Sequence, residues 1–338
     1  MLSDLPTLLV FLRMAPDDTT QTTLLTQLLQ VASGAIKLFC KRSLESEVIT
    51  EYPIEWQLGG PDLPVAQRPI RLQLLTGTLT SGSSIITGLA VNGPYDPANI
   101  MVGSPVSITG ATPSPNNATL GAIPAFTTIL SSTSTTATMS ANATASGTFP
   151  LCFGLTVFLD FGGYYGAGLN AFQNGPGNSS QLYIARDYAV KIDQPDGTSK
   201  CGLLALIGGG GWGGASLGAF LAGGNAWGWG GRRNLSANLP PVWPKYPGCV
   251  KVQYVAGLGV GATAPGGTLP ANTTLPVELT YCCNTLVAWM RTMTPVGIPV
   301  DVSTMAKQVA DTLNLETSKS PELGSVRGIL VRYREQAT

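Results

Sequence analysis

Two pairs of carboxylates, Asp187 with Asp193 and Glu45 with Glu47, come nearest in type and spacing to acid–base chemistry. Such pairs serve hydrolases as acid and base, or acid and nucleophile, when an element holds them across a scissile bond. Nothing in the sequence aligns either pair, and the ordinary place of a carboxylate is the solvated surface. Asp193, Asp196 and Gly197 share residue types with a calcium loop, but the D-x-[DN]-x-[DN]-G spacing is not met. Gly208 to Gly213 fits G-x-G-x-x-G only because almost every position there is glycine. No acidic residue follows at the dinucleotide-fold distance, and no G-K-[ST] supplies a phosphate-binding lysine.

Histidine is absent, which removes the commonest general base and metal ligand together and excludes Ser-His-Asp and Cys-His catalysis on this chain alone. Six cysteines are present and none forms a CxxC pair. Cys282 and Cys283 are adjacent on a predicted helix and point about 100° apart, which suits neither a mutual disulfide nor a zinc site. The cysteines are expected to be small apolar packing residues in a reducing compartment. Trp212, Trp227 and Trp229 could stack on sugars or bases, but tryptophan more often anchors a protein interface. No catalytic, cofactor or metal site is expected, and the chain is read as not an enzyme.

Composition points the same way. The 338 residues suffice for two domains, or for one domain with large insertions. Apolar residues are 44% and charged residues only 11%, against roughly 25% charged in an average soluble protein. A lone monomer ordinarily uses more charge to stay dispersed, so the balance favours a chain packed against others. Net charge is zero, so bulk electrostatics call for neither nucleic acid nor an anionic membrane. The opening Met1-Leu-Ser-Asp has no basic region of a signal peptide.

The first strong element is a helix from about 20 to 42, with Leu24, Leu25, Leu28, Leu29, Ala32, Ala35, Ile36 and Phe39 on one face. Asp17 and Asp18 are expected to cap it, and Lys37, Lys41 and Arg42 to sit at its other end. Residues 48–75 read as an edge or loop-rich β-region because Pro53, Pro61, Pro64 and Pro69 interrupt it. From Leu72 to Leu159 the only charged residue is Asp96. That stretch carries period-two alternations broken by Gly and Pro, at Ser83–Gly88, Pro105–Gly110 and Thr135–Ala141, and predicts a small all-β module. Gln181–Asp193 reads as one strand, Asp196-Gly197 as a turn and Gly202–Ile207 as its hairpin partner. The uncharged run Cys201–Gly231 is too rich in glycine for a membrane helix, and a Gly/Trp loop packed in an assembly is expected. Lys251–Gly257 predicts a strand. Helices are expected from about Thr274 to Met290, with Pro276 and Glu278 in the first turn, from Ser303 to Leu315, and over the tail from Pro321.

In this order the elements resemble a known family. A Leu-rich helix ends in Ala35-Ile-Lys-Leu-Phe-Cys-Lys-Arg-Ser-Leu, and a β-region contains Arg68-Pro-Ile. Leu182-Tyr-Ile-Ala-Arg-Asp-Tyr-Ala-Val-Lys follows, then Val250-Lys-Val-Gln-Tyr-Val-Ala-Gly. A helix begins Leu275-Pro-Val-Glu-Leu, and the chain closes with Leu323-Gly-Ser-Val-Arg and Val331-Arg-Tyr-Arg. The pattern resembles the head–tail connector, or adaptor, proteins of tailed phages. Gly77–Gly88, Val102–Gly110 and Met139–Thr148 resemble a small β-domain that recurs as an insertion in phage structural proteins. The chain is about twice the usual family length, the excess lying near 75–158 and 208–247.

The resemblance implies an α+β fold: a small helical-bundle core with a β-hairpin, an inserted all-β module and a Gly/Trp-rich insertion. The expected boundaries are an adaptor core at 1–75 and 159–338, the β-domain at 76–158, the Gly/Trp insertion at about 208–247 and a docking segment at 321–338. The implied function is a virion adaptor ring, twelvefold and homo-oligomeric, between portal and tail. Its partners are the portal protein, tail or nozzle/stopper proteins and double-stranded DNA passing through the lumen without sequence-specific binding. No membrane partner is implied, and assembly takes place in the host bacterial cytoplasm. The tail is expected to dock on the portal or a neighbouring subunit through Leu323, Val326, Leu330 and Tyr333, with Arg327, Arg332 and Arg334 pairing with carboxylates; the alternative is a terminal helix folded back on its own core. Trp212, Trp227 and Trp229 are the other expected interface residues. The competing readings are a surface or secreted carbohydrate-binding β-protein, which needs an export route, and a carboxylate-based hydrolase, which has no motif behind it.

Overall fold

Three hydrophobic clusters, one among the helices and two among the strands, form the interior. The computed structural model describes residues 1–15, 21–42, 44–53, 60, 62–109, 121–160, 179–185, 187–195, 197–207, 243, 250–259, 275–293, 301–314 and 321–334. Residues 1–47 with 257–338 form one unit, and residues 48–256 form the other. The fold is of the α+β class.

The helical unit contains α1 (Leu5–Phe11), α2 (Thr22–Cys40), α3 (Val277–Met293), α4 (Val302–Asn314) and α5 (Pro321–Leu330) among the described residues. α1 is too short for a hydrophobic period to announce it. Its start is nonetheless written in the sequence, because Asp4 accepts from the Thr7 amide at 2.9 Å and proline follows in the first turn. Seven of the eight apolar residues expected to face the core on α2 are fully buried, and Leu24 is partly so. The residue at its N-cap is Gln21, which makes no side-chain capping bond. Asp17 and Asp18, the expected caps, lie outside the described residues.

α2 is long and apolar enough to cross a membrane, yet more than half of that stretch is buried. Every other helix of the unit packs against it. The closest approach is to α4, where a Cβ added at Gly34 would stand 3.3 Å from the Ala306 Cβ. α3 buries six consecutive residues, Cys282 to Val287. Over that stretch α3 is enclosed, with α2 on one side and α5 on another, while its first turn and its end stay exposed. α4 starts at Asp301, whose carboxylate accepts from the Ser303 and Thr304 amides and from the Thr304 hydroxyl at 2.7 Å.

The β unit contains β1 (Glu47–Glu51), β2 (Asp62–Pro64), β3 (Ile70–Arg71), β4 (Gln73–Leu79), β5 (Ile85–Ile86), β6 (Val106–Ile108), β7 (Ile129–Ser132), β8 (Ala137–Met139), β9 (Gly147–Phe153), β10 (Leu155–Asp160), β11 (Ser179–Leu182), β12 (Tyr188–Val190), β13 (Thr198–Ser199), β14 (Leu203–Leu206) and β15 (Val250–Ala256). One sheet runs β11-β10-β15-β3-β13, with β1 also paired to β15. Three-stranded sheets run β12-β14-β2, β4-β9-β6 and β5-β8-β7. The last two bury one hydrophobic cluster drawn from residues 75–153, including Leu75, Ile86, Val106, Met139 and Leu151. The uncharged stretch thus builds strands at each of its three alternating segments. A second cluster, from Leu63 to Ala256, gathers around β10 and β15.

The division falls elsewhere than the sequence led us to expect. The expected adaptor core, at 1–75 and 159–338, is split between the two units, with residues 48–75 and 159–256 in the β unit. The reason is hydrogen bonding: β15 pairs with β10 through five residues and with β3, which fastens 70–71, 155–160 and 250–256 into one sheet. The expected long strand Gln181–Asp193 is also broken. Gln181 and Leu182 pair with β10, whereas Tyr188–Val190 pair with β14, as the expected hairpin does. Between them Ala185 adopts φ 65°, and the Asp187 carboxylate accepts from the Tyr183 amide at 2.8 Å, closing a turn. Of the Pro-interrupted segments, β2 is an edge strand, whereas β3, directly after Pro69, is flanked by β15 and β13.

The contact at Gly34 generates a first prediction. Gly34→Leu should destabilise the helical unit by ~1–3 kcal/mol through overpacking. At Gly324, on the exposed side of α5, an added Cβ meets nothing within 4 Å. Gly324→Ala should therefore stabilise by up to ~1 kcal/mol through helix propensity. Thermal unfolding followed at 222 nm checks both, and a Gly34→Leu protein as stable as the parent would contradict the close approach of α2 and α4.

Candidate interaction surface

The tail, expected to be a docking arm, is the first place to look for an interface. Pro321–Leu330 is helical and Val331–Tyr333 continue as a 3-10 turn. Leu323, Val326 and Leu330 do share one face, but that face is buried in the unit's own hydrophobic cluster, at 3%, 0% and 0% exposure. The apolar half of the expected docking surface is therefore already occupied. An isolated helix this short is marginal in water, and α3 and α2 supply the surface that holds it. The Cys282 thiol lies 3.9 Å from the Val326 carbonyl and the Cys40 thiol 3.8 Å from the Leu330 carbonyl.

The polar half is mostly tied down as well. The Tyr333 hydroxyl donates to Glu278 Oε2 at 3.2 Å. The Arg334 guanidinium lies over the Phe39 ring, 5.2 Å from its centroid. Arg327 is partly buried, whereas Arg332 is exposed. Cationic side chains here also suit the chain ends of α2 and α5, where helix dipoles are negative. Trp212, Trp227 and Trp229 lie outside the described residues. Trp243 is completely buried, and its indole donates to the Leu204 carbonyl at 3.1 Å, so it offers no face to a sugar.

An apolar surface that sequence reasoning missed stands on α1 and α3. Val277 is 80% exposed, Val10 72%, Tyr281 45% and Phe11 40%. Val277 and Tyr281 are one turn apart on α3, and the Tyr281 ring meets the Phe11 ring edge-to-face at 6.1 Å. Helical spacing alone placed the apolar residues of α3 toward the core. The signal for an outward patch is that α3 has more apolar positions than one buried face can take.

The candidate chemical groups are used structurally. Asp187 turns onto Tyr183, as described above. Asp193 accepts from the Lys200 amide at 2.6 Å and the Cys201 amide at 3.0 Å. Slight burial raises its pKa, but those hydrogen bonds outweigh it and hold the carboxyl below the ordinary range. Glu45 pairs with Lys37 at 3.5 Å. Asp196 and Gly208–Gly213 lie outside the described residues. Burial pushes the thiols of Cys40, Cys152, Cys282 and Cys283 up to about 12, so they are thiols rather than thiolates at neutral pH. Among the described residues no three His, Cys, Asp or Glu side chains gather to hold a metal.

A polar network lies where the β unit's first and last strands meet. Tyr254 on β15 donates to Glu51 Oε2 on β1 at 2.9 Å, and its oxygen accepts from the Gln67 amide at 3.0 Å. Glu51 also accepts from the Ala66 amide at 3.0 Å. Gln253 donates to the Thr50 hydroxyl alongside, at 3.2 Å. Burial raises the Glu51 pKa against the pull of these bonds and of Arg68. No family model, curated protein or solved structure matches the chain.

Leu323→Ala or Leu330→Ala should cost ~2–5 kcal/mol of folding stability, whereas Arg332→Ala should stay within about 0.5 kcal/mol; urea titrations compare them. Truncation after Ser320 should correspondingly lose helical signal, not merely detach an arm. Glu51 sets a pH dependence. Its folded carboxyl holds a proton more tightly than the unfolded one, so its contribution is fully present below the ordinary value of 4.5 and is lost as pH rises through the raised folded value. Relative to Glu51→Gln, the parent should become less stable across that window. Identical pH profiles for the two proteins would remove Glu51 from the account.

Proposed function

We propose that this chain is a structural subunit of a tailed-phage virion, forming a homo-oligomeric adaptor ring between portal and tail. The observation that carries the reading is the order of elements. A Leu-rich helix, α2, is followed by strands, by the pairing of Tyr188–Val190 with Leu203–Leu206, by β15, by an interior helix and by a terminal helix, in the sequence of the family the chain resembles. Charge distribution supports it. The β unit spans well over half of the chain but holds only 17 of its 38 charged residues. A surface so poor in charge suits contact with other subunits better than free solution. In a ring each subunit meets its neighbours through two different patches. The ring surrounds a passage for double-stranded DNA, and the portal and tail or nozzle/stopper proteins are its other partners.

Mixing the purified chain with the portal protein and imaging by negative-stain electron microscopy tests the reading. The expected outcome is added ring density on the tail-facing side of the portal. Absence of any binding at micromolar concentrations of both proteins would overturn it.

A further inference from the structure

We propose that two copies of this chain pair through the exposed face formed by Val10 and Phe11 on α1 and Val277 and Tyr281 on α3. The face is part of the helical unit alone, and the inference stands independently of the adaptor reading.

Four apolar side chains here are 40–80% exposed, and two of them are aromatic rings already in contact with each other. Apolar side chains gathered on a surface mark a place of association, whereas scattered ones do not. Exposed tyrosine and phenylalanine are the residue types that anchor protein interfaces. What selects a second copy as the occupant is charge. On the α1 side the patch is bordered by Arg13, exposed two residues beyond Phe11 and held at φ 57°. On the α3 side it is bordered by Glu278, exposed and next to Val277. The two flanks thus carry opposite charges. A twofold axis through the patch sets Arg13 of each copy against Glu278 of the other while the Phe11–Tyr281 pairs meet at the centre. An isologous contact requires such self-complementarity, since residue i meets j and j meets i. An acidic or basic partner protein would satisfy only one flank and repel the other.

Size sets the strength. Two whole aromatic side chains at roughly 150–250 Å² each, with two valines, stay below the ~800 Å² per partner of a standard interface. The pair is therefore weak and concentration-dependent. The contact is closed, so it is additional to the head-to-tail contacts of a ring.

Sedimentation velocity of the full chain over a concentration series tests the inference. The parent should show a monomer–dimer equilibrium. Tyr281→Ser and Phe11→Ser, both at exposed positions, should weaken it at least tenfold. Arg13→Glu and Glu278→Arg should each weaken it, and the double exchange should restore it. Tyr333→Phe, which removes only the hydrogen bond to Glu278, should leave it intact and controls for that loss. A parent that is monomeric at every concentration, or single variants that sediment as the parent does, would overturn the pairing. So would a double exchange that fails to rescue. A chain that is monomeric alone yet decorates the portal overturns this inference and leaves the adaptor reading standing; a dimer that never binds the portal does the reverse.

Discussion

The absence of a side chain at Gly34 lets α2 take the Ala306 side chain of α4 against its surface, and the helical unit is arranged around that contact. Removing a side chain at the crossing allows the surrounding Leu25, Leu28, Leu29 and Ile36 to interlock with Val309, Ala310 and Leu313 in one cluster. α2 then becomes the element that all the others share. α3 lies against it and is itself shut in by α5, so Cys282–Val287 are all buried, and the Thr285 hydroxyl is satisfied within the helix by donating to the Tyr281 carbonyl at 2.9 Å. The short helices at both ends of the chain gain their stability from this shared core rather than from their own length.

The long β insertion is compatible with that core because its two ends are neighbours. β1 and β15 pair, and their side chains bridge at Glu51–Tyr254 and Thr50–Gln253. Just outside the β unit the Leu258 amide donates to the Leu44 carbonyl and the Ser46 amide to the Gly259 carbonyl. Gly257 between them has φ 128°, and a Cβ there would collide with the Glu45 carbonyl. Only glycine lets the two connecting segments run this close. Closely spaced ends are what allow a large domain to interrupt another without unravelling it.

Polar groups of this protein serve architecture. Asp4 and Asp301 cap helices, Asp187 and Asp193 close turns, and Glu51 fastens a strand to a loop. On the helical unit the α1–α3 face departs from a solvated surface, with Val10, Phe11, Val277 and Tyr281 exposed.

The helices α2, α3, α4 and α5, and the strands of the 75–153 module, were legible because local periodicity reports which side of an element is apolar. α1 escaped because seven residues carry too few periods, although its Asp-x-Pro start was readable. Three features were decided only in three dimensions. The unit boundary depends on hydrogen bonds between residues as distant as 70 and 256, which no local pattern encodes. The break of Gln181–Asp193 depends on Asp187 choosing the Tyr183 amide over the ladder. The fate of the tail depends on what lies opposite it. The sequence determined that Leu323, Val326 and Leu330 form an apolar face, because helical geometry does so. Only the tertiary structure decided that the face closes on its own core, because an apolar stripe is defined by its residues but its partner by whichever surface comes within reach.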